Sequence, residues 1–263
     1  MFVRFTKIRL AASALFCALL FFPHSAGAQA KVSETQWSYA GSDAPDRWGD
    51  LDPSFAACNA GKHQSPIDIR DAKDSPDLAP IRFDYKLSPL KIVNNGHTLR
   101  INYEPGSSIV VNGISFPLTE FHFHHRSETE IEGQKFEMEL HLVHEDPAAG
   151  RTAVVAILIK SGAENALLRA LLSHASSKIG EEVEKKKVVI NAAGFLPADQ
   201  NYYVFDGSLT TPPCSEPVKW YVLKQAIEAS PSQIAAFAKL YPDNARPVEP
   251  LNGRAVLESD FHK

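Results

Sequence analysis

Three histidines on two alternating segments constrain this chain more than any other feature of its sequence. His122 and His124 are separated by one residue, and His141 follows 17 residues later. Around them apolar and polar residues alternate, which is the period of a half-buried β-strand. Side chains two residues apart in a strand share a face, so His122 and His124 point the same way, with Phe121 and Phe123 behind them. The sequence therefore predicts two strands that carry imidazoles on one face.

A hairpin between these strands would bring the three imidazoles together. Glu132-Gly133 supplies a turn between the two segments. A turn centred there places His124 directly opposite His141, and Glu139 then shares the face of the histidines. Three imidazoles on one patch are the ligand set of a zinc ion that keeps an open fourth position. We therefore predict a metal site on this sheet.

The same residues also fit a second kind of metal protein, the cupin barrel. His122-x-His124-x-x-x-Glu128 has the spacing of the first cupin metal motif, in which the glutamate is a ligand. A cupin also has a Pro-x-Gly-x-x-His stretch and a glycine at a fixed distance before the first histidine, and this sequence has neither. A cupin-type metal oxygenase stays as the second interpretation.

The first 28 residues have the pattern of a secretory signal peptide. Three basic residues are followed by an apolar run of 13 residues, 10–22, and by the small residues Ala26-Gly27-Ala28. This order predicts cleavage near residue 28 and a mature chain of residues 29–263. The run is short for a membrane span, although an uncleaved anchor is the alternative. We expect no transmembrane segment in the mature chain.

Charge and length limit what the mature chain can do. Loss of three positive charges with the signal changes the formal net charge from −4 to −7. An acidic surface disfavours nucleic-acid binding. The remaining 235 residues suffice for one well-packed domain.

Two cysteines remain after the signal is removed. Cys58 and Cys214 would then lie in an oxidising compartment, where one disulfide between them is the simplest interpretation. Two separate buried thiols are the alternative.

Most of the mature chain has the pattern of strands and loops. The predicted strands are 90–93, 98–103, 108–111, 120–124, 136–144, 152–160 and 220–223. Helical spacing marks 163–179, and a short helix is predicted at 232–240. The charged run 181–187 is typical of a solvated segment. The fold class is therefore mainly β (α+β), a single sheet-dominated domain with a few short peripheral helices.

Several longer strings resemble the α-class carbonic anhydrases of the bacterial, secreted type. The matching strings are Gly61-Lys62-His63-Gln64-Ser65-Pro66-Ile67-Asp68-Ile69, Asn94-Asn95-Gly96-His97, Phe121-His122-Phe123-His124, Glu139-Leu140-His141-Leu142-Val143-His144 and Gly207-Ser208-Leu209-Thr210-Thr211-Pro212-Pro213. They occur in family order and spacing, and the resemblance as a whole covers residues 37–254. Cys58 and Cys214 match a cysteine pair of the bacterial members, which supports the disulfide.

The resemblance implies a fold, a reaction and a location. The expected fold is a large, mostly antiparallel, twisted central sheet of about ten strands. The implied activity is reversible hydration of carbon dioxide to bicarbonate and a proton, by attack of a zinc-bound hydroxide and histidine-mediated proton transfer. Sulfonamide or anion inhibitors and a side esterase activity are also implied. The expected location is the periplasm of a Gram-negative bacterium, and monomer and homodimer both stay open.

The resemblance also assigns roles to individual residues. The zinc ligands are His122, His124 and His141. The carbon dioxide and bicarbonate pocket is Val143, Val154, Leu209, Thr210, Thr211 and Trp220. Thr210, with Glu128 behind it, orients the attacking oxygen, and His97 shuttles the proton. Glu120 and Glu139 bind the outer ring nitrogens of the ligands.

Two residues depart from the family pattern. Glu120 stands where the family usually has glutamine, which places a negative charge near the metal. Thr129 stands where the family usually has histidine, so hydrogen bonding behind the site must differ. A non-catalytic binding protein on the same fold is a competing class, but such members have lost zinc ligands that this chain retains. A disulfide-stapled structural protein would leave the histidines without a role.

Overall fold

The structure is a computed structural model, and it describes residues 1–2 and 35–262. The predicted signal peptide, residues 1–28, lies outside the described residues apart from the first two. Thr35–Lys263 forms one compact unit. In the described part of the chain, no helix is both long and apolar enough to cross a membrane.

Strands make up most of the regular structure. Those in the described residues are β1 (Asp68–Ile69), β2 (Lys73–Asp74), β3 (Arg82–Asp84), β4 (Ser88–Asn94), β5 (Leu99–Asn102), β6 (Ser108–Val111), β7 (Ile114–His124), β8 (Glu130–Ile131), β9 (Met138–Asp146), β10 (Arg151–Ser161), β11 (Glu182–Ile190), β12 (Tyr202–Gly207), β13 (Val218–Ala229) and β14 (Leu257–Glu258). All seven predicted strands are present, most of them longer than predicted.

Short helices lie between the strands. The α-helices are α1 (Trp48–Leu51), α2 (Ala57–Ala60), α3 (Ala166–Leu172) and α4 (Pro231–Leu240), and 3₁₀ turns occur at Gly41–Asp43, Pro45–Arg47, Pro53–Phe55 and Ala192–Phe195. Helix α4 begins where predicted, because Ser230 and Gln233 form a reciprocal capping box ahead of the first turn. Helix α3 is shorter than the predicted 163–179. Its end is closed by Ser173 and His174, whose side chains both bond the carbonyl of Ala170.

Twelve strands form one large sheet in the order β11-β4-β5-β7-β9-β10-β13-β12-β14-β2, with β6 on β7 and β3 on β6. The sheet is mixed, since β10–β13 and β14–β2 pair in parallel while the other pairs are antiparallel. β1 and β8 form a separate parallel pair. The open path from β11 to β2 does not fit a closed cupin barrel, so that interpretation was wrong.

The two faces of the sheet carry different side chains. Phe121, Phe123, Leu140 and Leu142 are fully buried in the larger hydrophobic cluster. The intervening residues of the same strands, including the three histidines, lie on the opposite face. Burial of each large apolar side chain contributes roughly 1.5–3 kcal/mol. The histidines therefore stand on long strands that are fixed from behind, as their alternation predicts.

The register of β7 and β9 differs from the prediction by two residues. His122, not His124, lies opposite His141, and His124 faces Glu139. The turn at Glu132-Gly133 does exist, and both its residues have positive φ. Compared with the predicted hairpin, two more residues on the amino-terminal side of the turn are not paired with β9. In this stretch β8 pairs with β1 instead. A shift of two keeps every side chain on its face, so the histidines still converge.

The charged segment 181–187 is also different from the prediction. Its residues are largely exposed, as expected, but they form most of β11, the edge strand beside β4. Charged side chains on an edge strand discourage pairing with another chain. The charge pattern therefore indicates solvent exposure without excluding a strand.

The predicted disulfide is confirmed. Cys58 and Cys214 are bonded, with their Cα atoms 5.0 Å apart across a sequence separation of 156. They pack on the fully buried Trp48, with Trp37 and Tyr39 against the same cluster. The alternative of two separate thiols was wrong. The bond ties the amino-terminal segment to the loop that carries Thr210 and Thr211.

Candidate metal centre

The three predicted histidines converge on one point. Ring nitrogens of His122, His124 and His141 lie within 4.8 Å of one another. His124 and His141 are almost completely buried, and the side chain of His122 retains 17% exposure. All three stand on β7 and β9, near the middle of the sheet. They form a potential metal site whose open side faces solvent through His122.

Two predicted carboxylates hold the outer nitrogens of these rings. Glu120 lies 2.9 Å from Nδ1 of His122, and Glu139 lies 3.1 Å from Nε2 of His141. Each bond fixes a ring's orientation and its tautomer. Nε2 of His122 and Nδ1 of His141 are therefore left to face the centre of the group.

The partner of the third ring was missed by sequence reasoning. Nδ1 of His124 donates to the backbone carbonyl of Asn244, 2.7 Å away and 120 residues distant in sequence. A carbonyl group is common to every residue, so no local pattern marks it. The Asn244 side chain also accepts from the backbone N–H of His125, which fixes the two segments together.

The donor set fits a zinc ion. Nε2 of His124 is buried and has no hydrogen-bond partner among the described residues. A buried polar nitrogen without a partner costs free energy unless a ligand occupies it. Burial, together with the neighbouring imidazoles, lowers the pKa of His124 and of His141, so both are neutral. Three neutral nitrogens are the donors that a catalytic zinc site takes, with one position left open.

The departure at Thr129 has a structural explanation. Its backbone N–H donates to Oε2 of Glu139 at 2.7 Å, and its hydroxyl donates to Oε1 at 2.8 Å. The backbone N–H of Glu128 adds a bond of 2.8 Å to Oε2. Glu139 therefore receives these bonds and that of His141, although it is fully buried. Thr129 uses its short side chain to hold the carboxylate that holds a ligand.

Glu128 lies behind the site rather than in the metal group. Its Oε1 accepts from the backbone N–H of Arg246 at 2.8 Å. Burial raises the pKa of Glu128 to about 8, and the adjacent Thr210 hydroxyl acts in the opposite direction. A bound cation would also oppose the rise. Oε2 of Glu128 has no partner in hydrogen-bond geometry, although Thr210 is its neighbour. Arg246 was not predicted from the sequence.

A cleft of about 140 Å³ opens onto the metal site. His122 and His124 line its floor together with Thr211, and His97 lies on its wall. The His97 ring stacks on Trp37, with centroids 3.6 Å apart and planes 7° apart. Two of the larger clefts, of about 380 and 310 Å³, share no lining residue with it, whereas an adjoining one of about 290 Å³ shares Trp37, Tyr39 and His97. In the described residues they contain no convergent ligand group, so chemistry belongs to the smaller cleft.

An apolar wall stands beside the third histidine. Val143, Val154 and Trp220 lie in register on β9, β10 and β13. The Trp220 ring meets the ring of His141 edge-on, with centroids 4.9 Å apart. Leu209 packs against the same cluster. The four apolar residues of the predicted pocket therefore pack together beside His141, although other residues line the cleft described above.

Two further histidines point away from the metal, as predicted. Nε2 of His144 lies 2.9 Å from the hydroxyl of Tyr85, on the opposite face of the sheet. Burial lowers the pKa of His144 to about 3. Nδ1 of His125 bonds the carbonyl of Pro242. Both therefore have structural roles.

Comparisons with known proteins agree with this geometry. The family described as eukaryotic-type carbonic anhydrase matches residues 43–260. A carbonic anhydrase of Nostoc sp. is 42% identical over 236 residues, which are 88% of each chain. One from Pectobacterium carotovorum is 38% identical, covering 86% of this chain and 92% of its own. The structure of the α-carbonic anhydrase from Thermovibrio ammonificans with the inhibitor sulfanilamide has a TM-score of 0.82 at 40% identity, covering 85% of this chain and 99% of that one.

Proposed function

The chain belongs to the eukaryotic-type carbonic anhydrase family, and we propose which of its side chains carry the reaction. It is a zinc enzyme that interconverts carbon dioxide and bicarbonate with release or uptake of a proton. The observation that carries this conclusion is the convergence of three imidazoles whose outer nitrogens are all engaged.

His122, His124 and His141 hold the zinc. When bound, the ion acidifies a water molecule and so supplies a nucleophile at neutral pH, an effect for which carbonic anhydrase itself is the standard example. Neutral ligands leave the full charge of the ion available for this. The bonds of Glu120 and Glu139 keep the rings aimed while the open side exchanges water, substrate and product.

Val143, Val154, Leu209 and Trp220 bind carbon dioxide. The substrate is small and uncharged, so an apolar surface beside the nucleophile is the appropriate site for it. Three of these side chains are at most 8% exposed, which excludes competing water. Thr211, on the lining of the cleft, contacts the product bicarbonate.

Thr210 positions the nucleophile. Oε2 of Glu128 is buried without a partner beside Thr210, so it is the acceptor to which the Thr210 hydroxyl would donate its proton, which would leave the hydroxyl oxygen free only to accept. The attacking oxygen is then held with a lone pair directed at carbon dioxide, an effect of orientation. The backbone N–H of Thr210 can stabilise the developing negative charge. The burial of both side chains, which keeps bulk water away from them, supports this role.

His97 transfers the proton between the cleft and solvent. An imidazole titrates near neutral pH, and partial burial lowers the pKa of His97. Its place on the cleft wall supports the role. Trp37 holds the ring by stacking in the position seen here.

The enzyme is secreted, in our proposal, after cleavage near residue 28. The disulfide fits an oxidising compartment, and the periplasm is the specific location proposed. A side esterase activity follows from the same nucleophile. The homodimer stays a prediction, which light scattering of the purified mature chain would test.

Stopped-flow carbon dioxide hydration by zinc-loaded residues 29–263 tests the function. We expect hydration well above the buffer rate, abolished by sulfanilamide and by zinc chelation and restored by added zinc. His141→Ala should abolish it, whereas His63→Ala, at an exposed histidine outside this cleft, should not. An inactive chain with intact zinc and disulfide would contradict the proposal.

A further inference from the structure

One arginine in the active-site cleft has no role in the mechanism above. Arg100 stands on β5 directly opposite His122 on β7. Directly paired residues of antiparallel strands share a face, with Cβ atoms about 5 Å apart. Arg100 accordingly lines the same cleft as His122, His124 and Thr211. A fixed positive charge therefore stands beside the open side of the metal site.

The guanidinium of Arg100 is unpaired within the described residues. Its Nε is buried and has no hydrogen-bond partner. Two acids on neighbouring strands have other partners, because Glu120 bonds the ring of His122 and Glu182 bonds the side-chain amide of Asn102. A buried donor without an acceptor is costly, and more so when it is charged.

The fully buried Arg246 shows how a structural guanidinium is held in this protein. Nη1 of Arg246 donates to Gln64 and to the carbonyl of Ser65, and Nη2 donates to the carbonyl of Cys58. Arg246 also pairs with Glu249 at 3.1 Å. The Nε of Arg246 is also buried without a partner, but both of its terminal nitrogens are engaged. Within the described residues no hydrogen bond or ion pair holds the guanidinium of Arg100, which faces a cleft that exchanges ligands.

The geometry points to Arg100 as an anion-binding side chain of this cleft, which takes a planar carboxylate-type anion. The fork of N–H groups in a guanidinium matches the two oxygens of such an anion. Bicarbonate has this shape and charge, whereas carbon dioxide has no charge. An organic ligand that reaches both zinc and Arg100 would present the same chemistry through a carboxylate. The inference rests on the proposed function, because the zinc site anchors the other end of the ligand.

Two matched sulfonamides test the anion site. 4-Carboxybenzenesulfonamide carries a carboxylate, and 4-carbamoylbenzenesulfonamide is its neutral isostere. Calorimetry gives both dissociation constants for zinc-loaded wild type, Arg100→Gln and the control Arg82→Gln, which removes the same charge from an exposed position on β3. We expect Arg100→Gln to weaken the carboxylate probe about threefold to tenfold while the neutral probe and the control stay unchanged.

A second measurement separates the two sources of the anion. A raised KM for bicarbonate in dehydration by Arg100→Gln would assign the site to the product as well. An unchanged KM with a weakened carboxylate probe would assign it to larger organic carboxylates. Equal effects on both probes, or no effect on either, would overturn the inference. Failure of the neutral probe to bind wild type would instead overturn the zinc site, and the inference with it.

Discussion

Single residues set the properties of the metal centre by fixing the outer nitrogen of each ligand. The Glu139 side chain alone accepts four hydrogen bonds. It accepts from the backbones of Glu128 and Thr129 and from the Thr129 hydroxyl, and it also holds His141. A carboxylate has two oxygens that accept and none that donates. An amide of the same shape could not satisfy these four donors.

Glu139→Gln should therefore weaken zinc binding by about tenfold to a hundredfold, the usual effect of losing a partner behind a ligand histidine. The amide nitrogen of the glutamine is a donor and would face N–H and O–H groups that also donate. The ring of His141 would then lose the partner that fixes its orientation. Competition with a chromogenic chelator measures the affinity. Glu145→Gln, at an exposed carboxylate on the same strand, should bind zinc like wild type. Equal affinities for Glu139→Gln and wild type would remove this carboxylate from the support of the site.

His97→Ala should lower the maximal hydration rate in dilute buffer by about a hundredfold, the lower end of what a positioned acid–base group contributes. Added imidazole should restore the rate, since it replaces the missing group from solution. kcat/KM for carbon dioxide should stay the same, because the steps up to the release of bicarbonate do not use His97, so KM should fall together with the maximal rate. Turnover is measured by stopped flow at several buffer concentrations. A variant that keeps the wild-type rate in dilute buffer would exclude His97 as the shuttle.

At the scale of strands, alternation predicts faces better than it predicts register. The faces of β7 and β9 were predicted correctly, because burial of Phe121 and Phe123 leaves the histidines only the other side. The register was wrong by two residues. A pair of turn residues marks the tip of a connection. It does not show that the residues just before the tip leave the β7–β9 ladder and form β8.

The residues that sequence reasoning missed share a physical cause. Asn244 and Arg246 reach the site through backbone groups, 120 and 118 residues from their partners. Such contacts depend on how the chain returns to the sheet, and periodicity does not carry that information. Arg100 was missed because a lone strand arginine is typical of an exposed face.

His144, on the face of β9 opposite the zinc ligands, gives a prediction about how stability depends on pH. Burial lowers the pKa of His144 from 6.5 to about 3, so the native state stays neutral while the unfolded chain takes up a proton below pH 6.5. The unfolded state then binds more protons, and stability falls as the pH falls from about 6.5 towards 3.

His144→Gln should therefore be less sensitive to acid than wild type. Between pH 8 and 5.5 the wild type should lose about 1.4 kcal/mol more of its free energy of unfolding. The glutamine still offers a polar group to Tyr85, so both proteins should fold at pH 8. Urea unfolding at each pH, in excess zinc, measures the difference. Parallel pH profiles would show that His144 is not the group responsible.

At the scale of the whole molecule, the site is assembled from segments distant in sequence. The zinc ligands come from the central strands, while Thr210 and Thr211 come from the loop before β13 and Trp37 comes from the amino-terminal segment. The Cys58–Cys214 bond joins the last two across 156 residues. Trp37 packs against the disulfide cluster and also stacks on His97. The family strings identified these segments, and the disulfide shows how two of them are kept together.

Replacing both cysteines by serine should lower the free energy of unfolding by about 5 kcal/mol, the chain-entropy value for a loop of this length. Guanidinium unfolding measures the change. A reductant should shift the wild-type midpoint towards that of the variant and leave the variant unaffected, which separates loss of the cross-link from damage by the serines. Because the bond supports Trp37, the variant should also lose part of its hydration rate in dilute buffer, and imidazole should restore it. A variant as stable as the oxidised wild type would show that the packing around Trp48 alone holds the amino-terminal segment on the sheet.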